Sequence, residues 1–394
     1  MKLRLLMLTV VVSAISAETG QAQISTIDAE FAGAGARALG MGTAFIAMAD
    51  DASAAEFNPA GLRILRRPEV GFQVLYTDQE HEQFLFDRSF YAGDPITETF
   101  EDSYFTPSFF SIVYPTQHFV VALSELTAIN LKTHFVDSVE YDPADLPFVR
   151  SERHFESQTT LRNYGLSLAT ALTPEFYVGG SLRYAVFSYE DSDWELTRTL
   201  GGDAITSTET DEESGAFNWN LGAIWRVHPC FSLGAVYKST IPIDIEAKGV
   251  RQELDLPWTF GAGLAFHPND RLRILFDWDR ANWSDFVTDE DREFHYRRED
   301  VNRYHIGGEY MLGIKWDTAW FLRTGYFLEE SNALFYDGPR GIYYDFLTSA
   351  APKEDDIDHY SVGLGLARDT FQIDFAADFT EDTTDLILST VFYF

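Results

Sequence analysis

Nine histidines, one cysteine and a large excess of carboxylates are the residues of this chain that could do chemistry. His118, His228 and His267 fall in short turn-like stretches. His81, His134, His154, His295 and His359 lie in or near long acidic ones, and His305 stands alone in an alternating segment. No Gly-x-Ser-x-Gly elbow and no His-Glu-x-x-His pair assembles a triad or a zinc site. Asp355 and Asp356 in "KEDDIDHY" offer oxygens for a loose Ca²⁺ contact, but EF-hand spacing is missing and a solvated acidic loop is the plainer reading. Cys230 has no partner for an intramolecular disulfide. Neither catalysis nor a cofactor or metal centre is expected.

Two arginines remain. Arg183 in "SLRYAVF", and Arg273 beside Asp277 and Asp279 in "RLRILFDWD", sit in segments that alternate apolar and polar residues. Alternation is the period of a β-strand, so the charged side chains share one face. Similar segments recur from Pro68 to the end, beginning with "VGFQVLY", where Val70, Phe72, Val74 and Tyr76 oppose Gly71, Gln73 and Leu75. They include "SFFSIVY", "FVVALSELTAI", "FSLGAVYKSTIPI" and "DLILSTVFYF", and about fourteen can be counted, each near the length that crosses a bilayer at a tilt.

Composition agrees. Of 394 residues 45% are hydrophobic and 15% aromatic, with 33 Phe and 19 Tyr, yet no apolar run after the N-terminus is long enough for a membrane helix. Aromatic but not strongly apolar is what a transmembrane barrel gives, because lipid-facing and lumen-facing residues alternate. Short connections with turn residues ("PTQH", "TPE", "HPC", "HPND", "RD") alternate with long acidic ones, Asp78 to Tyr104, Asp137 to Ser157, Glu190 to Ser214, Asn282 to Asp300 and Glu329 to Asp358. That asymmetry is the pattern of an outer-membrane barrel. Closure is compulsory, since an open sheet edge in hydrocarbon leaves backbone groups unpaired.

A net charge of -33 argues against nucleic acid, which needs clustered cations. Lysines are confined to positions 2, 132, 238, 248, 315 and 353, which fits adaptation to high salt or simply acidic surface loops. Lys2 and Arg4, an apolar stretch from Leu5 to about Ile15, and small residues at Ser16-Ala17 and Gly20 to Ala22 read as a secretory signal peptide over residues 1–22. The expected organisation is then an N-terminal plug over 23–66 and a barrel over 67–394, an all-β antiparallel transmembrane barrel of about 14 strands with its plug in the lumen.

The plug reading starts from "DDASAAEFNPAGL", Asp50 to Leu62. Asp50 or Asp51 can cap a short helix through about Phe57. Pro59 drives Asn58 out of helical geometry, and an Asn there can tie loose backbone groups. Gly33, Gly35, Gly40, Gly42 and the neighbouring alanines permit close backbone approach in a crowded lumen. The longer stretch "GARALGMGTAFIAMADDASAAEFNPAGL" resembles the N-terminal hatch of the FadL family of outer-membrane transporters for fatty acids and other hydrophobic compounds. The family's Asn-Pro-Ala signature falls on Asn58, Pro59 and Ala60. "LPWTFGAGLAFHPNDRLRILFDWDRANWSDF" and "FSLGAVYKSTIPIDIEAKG" resemble later family segments.

The resemblance implies localisation in the bacterial outer membrane, with passive movement of a hydrophobic small molecule from extracellular loops to a pocket against the hatch. Release would follow a shift of the hatch, typically through a gap in the barrel wall. Asn58, Pro59 and Ala60 would then belong to the gate. Candidate substrate contacts are Phe31, Phe45 and Phe57, plus Arg183 and Arg273 for a carboxylate; the competing reading of the arginines is a salt-bridge ladder filling the lumen. The final strand, ending in Phe394, resembles the signal read by the barrel-assembly machinery. Outer-membrane lipids and lipopolysaccharide are the remaining expected partners, and a monomer is the expected state. One departure is the third strand, "FVVALSELTAINL", which has no Gly or Pro where the family often carries a wall-opening kink. A bulge would have to serve, and Glu125 there either faces the lumen or marks the irregularity. The Gly-rich start and Asn-Pro-Ala turn also resemble non-transporting barrels that anchor or shuttle proteins in a secretion system. "DWDRANWSDF" favours the transporter branch.

Overall fold

Alternation builds the wall. In the computed structural model, which describes residues 33–85, 96–141, 149–199, 202–247, 250–287, 292–340, 348 and 353–394, outward Phe72, Phe110, Leu123, Leu182, Leu221, Leu364 and Leu388 are exposed. The alternate residues Gln73, Ser111, Ser124, Ser181, Asn220, Ser361 and Ser389 of the same strands are buried inside. Such a surface would be unstable in water and suits a bilayer. Aromatic pairs mark both rims of the belt. Tyr184 with Phe217 (centroids 5.0 Å apart) and Trp219 with Tyr237 (5.3 Å) stand on the loop side, and Phe231 stacked on Phe266 (4.6 Å) on the short-turn side. The signal-peptide span and Phe31 lie outside the described residues.

In chain order the strands are β1 (Glu69–Leu85), β2 (Ile96–Pro115), β3 (Phe119–Tyr141), β4 (Val149–Ala171), β5 (Phe176–Thr199), β6 (Gly202–His228), β7 (Phe231–Lys238), β8 (Ile241–Ala247), β9 (Val250–Leu256), β10 (Thr259–Asn269), β11 (Leu272–Ala281), β12 (Tyr296–Arg297), β13 (Val301–Lys315), β14 (Thr318–Glu329), β15 (Phe335–Tyr336), β16 (Ile357–Ala367), β17 (Phe371–Phe379) and β18 (Thr383–Tyr393). Fourteen form one closed antiparallel barrel, shut where β1 pairs with β18 from Glu69–Tyr393 to Gln79–Thr383. The hairpin β8–β9 and the pair β12–β15 are separate two-stranded sheets.

The acidic connections differ from the loops that polarity suggested. β3 and β4 stay paired out to Tyr141–Val149, and β5 and β6 to Thr199–Gly202, so the stretches 137–157 and 190–214 are mostly hairpin. Polarity marks solvent, not the end of pairing. Thr, Ser and Glu continue the ladder beyond the membrane because an antiparallel hairpin needs no apolar face once its root is fixed. Conversely, "FSLGAVYKSTIPI" is not one strand. The barrel strand ends at Lys238, and Ile241 begins the hairpin β8–β9, whose Ile241, Ile243 and Leu256 are buried.

Residues 34–62 are buried almost without interruption, inside the barrel. This inner segment forms helix α1 (Ala36–Leu39), helix α2 (Ala54–Phe57) and a 3-10 helix Pro59–Ile64.

Candidate functional site

The inner segment holds its shape by local bonds and its place by bonds to the wall. Ser53 donates to Asp51 from both its backbone N–H (2.9 Å) and its hydroxyl (2.5 Å), which fixes the turn into α2. Burial pushes the Asp51 carboxyl above its ordinary value, against the pull of Arg37 and Ser53. After α2, Asn58 is extended (φ -156, ψ 101), as Pro59 requires. Its amide nitrogen donates to the carbonyl of Ile46 (2.8 Å) and to those of Ala223 (3.2 Å) on β6 and Ala235 (3.3 Å) on β7. Its Oδ1 accepts from Ala60 N–H (3.2 Å). One fully buried side chain thus ties two turns of the segment to two neighbouring strands.

The wall is notched to receive it. A Cβ on Gly222 would lie 2.0 Å from Asn58 Oδ1, on Gly179 2.5 Å from Pro59 carbon, and on Gly234 2.4 Å from Ile46 oxygen. Farther round the wall, a Cβ on Gly307 would meet Met41 oxygen at 2.1 Å and one on Gly325 would meet Gly42 nitrogen at 1.9 Å. Backbone therefore rests on backbone around the circumference. A strand glycine weakens its own strand, and here the compensation is close approach.

Buried charges complete the seat. Asp277 on β11 accepts from the N–H groups of Phe45 (2.6 Å) and Ile46 (2.7 Å). Arg37 of α1 donates to Glu309 on β13 (2.9 Å) and to Asp50 (2.7 Å). Glu309 also receives Arg273 and Arg323, and Arg323 reaches Asp374 at 2.7 Å. His305 links Asp279 (2.8 Å) to Thr43, whose hydroxyl is 2.8 Å from its Nδ1. On the other flank Glu56 of α2 accepts from Ser124 (2.9 Å) on β3 and pairs with Arg183 (3.2 Å) on β5.

Two apolar clusters meet above this seat. Phe45 and Phe57 pack edge to face (5.5 Å, 80°) in the core of the inner segment. Toward the extracellular side, Ile129, Leu161, Phe187, Ile241, Leu256, Trp283 and Phe286 form a second cluster. Ala128 packs against both. It is also the extra residue in β3, where the β3–β4 register shifts between Thr127 and Ile129. Among the described residues β2 pairs with β3 only from Pro115–Val120 to Phe109–Leu126, whereas β1–β2 and β3–β4 continue far beyond. The wall is slit from that point outward. Side chains lace the slit: Asn130 donates to Thr106 across it (2.6 Å) and accepts from Gln158 of β4 (3.1 Å). Gly33, at the start of the described inner segment, lies beside Leu126 and accepts from Gln73, which also receives Gly35 N–H.

Of the residues named from sequence, the structure joins Asn58, Pro59 and Ala60 in the glycine-lined seat. Arg183 and Arg273 both point inward, and each is engaged by a glutamate. Phe45 and Phe57 touch each other and have no open surface. The third strand does bulge without Gly or Pro, and Glu125 shares the outer face with Leu123, opposite Phe110 and Tyr164. Sequence reading missed Glu309, His305 and Gln73 as partners of the segment, and Asp374 as the wall residue that holds Arg323. Only their inward phase in polar-apolar alternation could have signalled them.

A family model described as outer membrane protein transport protein (OMPP1/FadL/TodX) matches residues 10–379. Among solved structures, a Pseudomonas aeruginosa FadL homologue is similar at 15% identity, TM-score 0.62, covering 93% of this chain and 98% of that one. The Ralstonia pickettii toluene transporter TbuX is similar at 13% identity, TM-score 0.61, covering 92% and 99%. The P. putida toluene transporter TodX follows at 15% identity, TM-score 0.59, covering 93% and 99%. No curated protein matches the sequence.

Proposed function

Because this chain belongs to the OMPP1/FadL/TodX family of outer membrane protein transport proteins, we propose that it carries hydrophobic small molecules, long-chain fatty acids or aromatic hydrocarbons, across the outer membrane past a hatch formed by the inner segment. The observation that carries the reading is the position of Ala128. At this one bulge the extracellular apolar cluster, the core of the hatch and the slit between β2 and β3 come together.

A lipophile entering from the loops gains roughly 0.8 kcal/mol for each CH₂ it buries in the upper cluster. Nothing in that interaction drives release, so the hatch must yield. Movement of Phe45 and Phe57 opens the floor of the cluster, and the slit gives a route sideways into lipid. The gradient supplies the direction.

The test is uptake by cells lacking their own transporter. Labelled oleate and labelled toluene are each offered to cells displaying the wild-type barrel, Asn58→Ala, or Thr106→Cys/Asn130→Cys in a Cys230→Ser background. Uptake by the wild type that falls in Asn58→Ala, and that the oxidised double-cysteine protein loses and regains on reduction, supports the hatch and the lateral route. A folded barrel that takes up neither compound refutes transport and leaves a protein-anchoring role to be tested.

A further inference from the structure

Beyond the aromatic rim at Tyr184 and Phe217, strands β3 to β6 leave the membrane as one paired sheet, and the last of them has a bare side. β6 pairs with β5 over its whole length, from Phe176–Trp225 to Thr199–Gly202, with no register shift. Its other side pairs with β7 only from His228–Phe231 to Asn220–Lys238. The segment leading into the hairpin β8–β9 covers the next stretch. Trp219 oxygen accepts from Ser239 N–H (2.9 Å), and Ser214 Oγ accepts from Asp244 N–H (3.0 Å). From Ala204 to Glu213, among the described residues, no strand pairs with that side. At about 3.3 Å per residue this is roughly 30 Å of unbroken edge, with every second residue turning its N–H and C=O outward.

Edges of this length are commonly blunted by lysine, by proline or by a bulge. "AITSTETDEE" has none of the three, and Ile205, Thr206, Thr208 and Thr210 favour the extended form. Its one guard is negative charge. Glu209, Asp211 and Glu213 occupy alternate positions, so their exposed carboxylates form a row on one face, the face that carries Phe217 nearer the membrane. Glu190 of β5 stands directly opposite Asp211, and like charges facing across a ladder are destabilising. No basic residue lies between Ala204 and Glu213.

A guard of one sign is selective. A second copy of this chain would bring the same carboxylates against each other, so pairing of two β6 edges is opposed. A strand with basic side chains at alternate positions is attracted instead, and it relieves the repulsion between Glu190 and Asp211. We propose that the Ala204–Glu213 edge is a docking site for a cationic, extended peptide segment of another protein, which adds a strand beside β6 and sets its basic side chains against Glu209, Asp211 and Glu213. Main-chain hydrogen bonds would hold the segment, while the carboxylate row fixes its charge and spacing. The inference is independent of the transport reading above.

The experiment uses the full barrel in detergent, titrated with a fluorescent peptide that alternates Lys and Thr along the length of the edge. The control is the same peptide N-methylated at every residue, which keeps the charge and loses the donors a strand needs. The unmodified peptide is expected to bind at least about tenfold more tightly than the control and to slow amide exchange over residues 204–213. Glu209→Gln/Asp211→Asn/Glu213→Gln, which changes only exposed side chains, should weaken it by at least about tenfold. Equal affinity for the two peptides, unchanged exchange along the edge, an affinity that survives the triple variant, or no binding of either peptide overturns the inference and leaves transport standing. Self-association of the wild-type barrel that protects the same amides without peptide would give the edge to a second copy and overturn it too.

Discussion

Replacing Asn58 by alanine separates the stability of the hatch from that of the barrel. The side chain gives one bond inward at each end, to Ile46 oxygen (2.8 Å) and from Ala60 nitrogen (3.2 Å), and two longer contacts to the wall. Each good bond contributes about 1 kcal/mol net, and leaving a buried partner unpaired costs about 1 kcal/mol more, for roughly 2–3 kcal/mol in all. That is a rise of about 30- to 150-fold in the population in which the hatch is locally open. Amide exchange in the purified barrel reads it directly, with the β6–β7 ladder around Ala223–Ala235 as the internal control. The expected result is faster exchange over residues 58–64 by that factor, with the ladder unchanged. Unchanged exchange in the hatch, or equal loss of protection in both places, would refute the idea that Asn58 pins a separately opening unit.

Gly325→Ala should keep the hatch from seating, because the new Cβ falls on backbone at Gly42 and Met41, and overpacking of this kind costs about 1–3 kcal/mol; single-channel recording should show a leaky but folded barrel. Glu309→Gln strands Arg37, Arg323 and Arg273 without their shared carboxylate, and a loss of about 3–5 kcal/mol is expected, seen as a lower temperature for loss of the compact form on gels. Outside the membrane, Asp300 accepts from Ser284 N–H (3.0 Å) and pairs with Arg280 (2.6 Å). Burial raises its carboxyl, but those bonds outweigh it and hold the pKa below its ordinary value. The stabilisation is therefore present above the unfolded carboxylate pKa of about 4 and is lost as pH falls through the lower folded value. Proteolysis of the 282–300 connection should accelerate on acidification in the wild type, and Asp300→Asn should remove that dependence.

Why some of this could be read from the chain and some could not is a matter of range. The strands were legible because alternation is local, and "VGFQVLY" declares both of its faces within seven residues. The turn at Asn58-Pro59 was legible because proline acts on its immediate neighbour. The seat was not. Arg37 and Glu309 are separated by 272 positions, and nothing local tells Gly222 or Gly325 that another backbone will press on it rather than that the strand is merely weak there. The acidic hairpins were misjudged for a related reason: composition reports the solvent around a segment, while pairing is decided by the strand beside it. The bulge at Ala128 has no residue that announces it. It sits where β3 leaves β2 while its pairing with β4 continues, a juxtaposition of three strands that no local pattern encodes.

The glycine seat also constrains how the molecule is made. The hatch comes first in the chain, yet it touches early and late strands alike, and β1 has to wait for β18 before the cylinder can shut. Backbone seated in notches on separate arcs of the wall cannot be withdrawn without breaking contacts on several strands. The segment therefore bridges the two ends of the chain: Ala36 and Leu39, from its first helix, share one buried cluster with Ala376 and Ile387 of the last two strands.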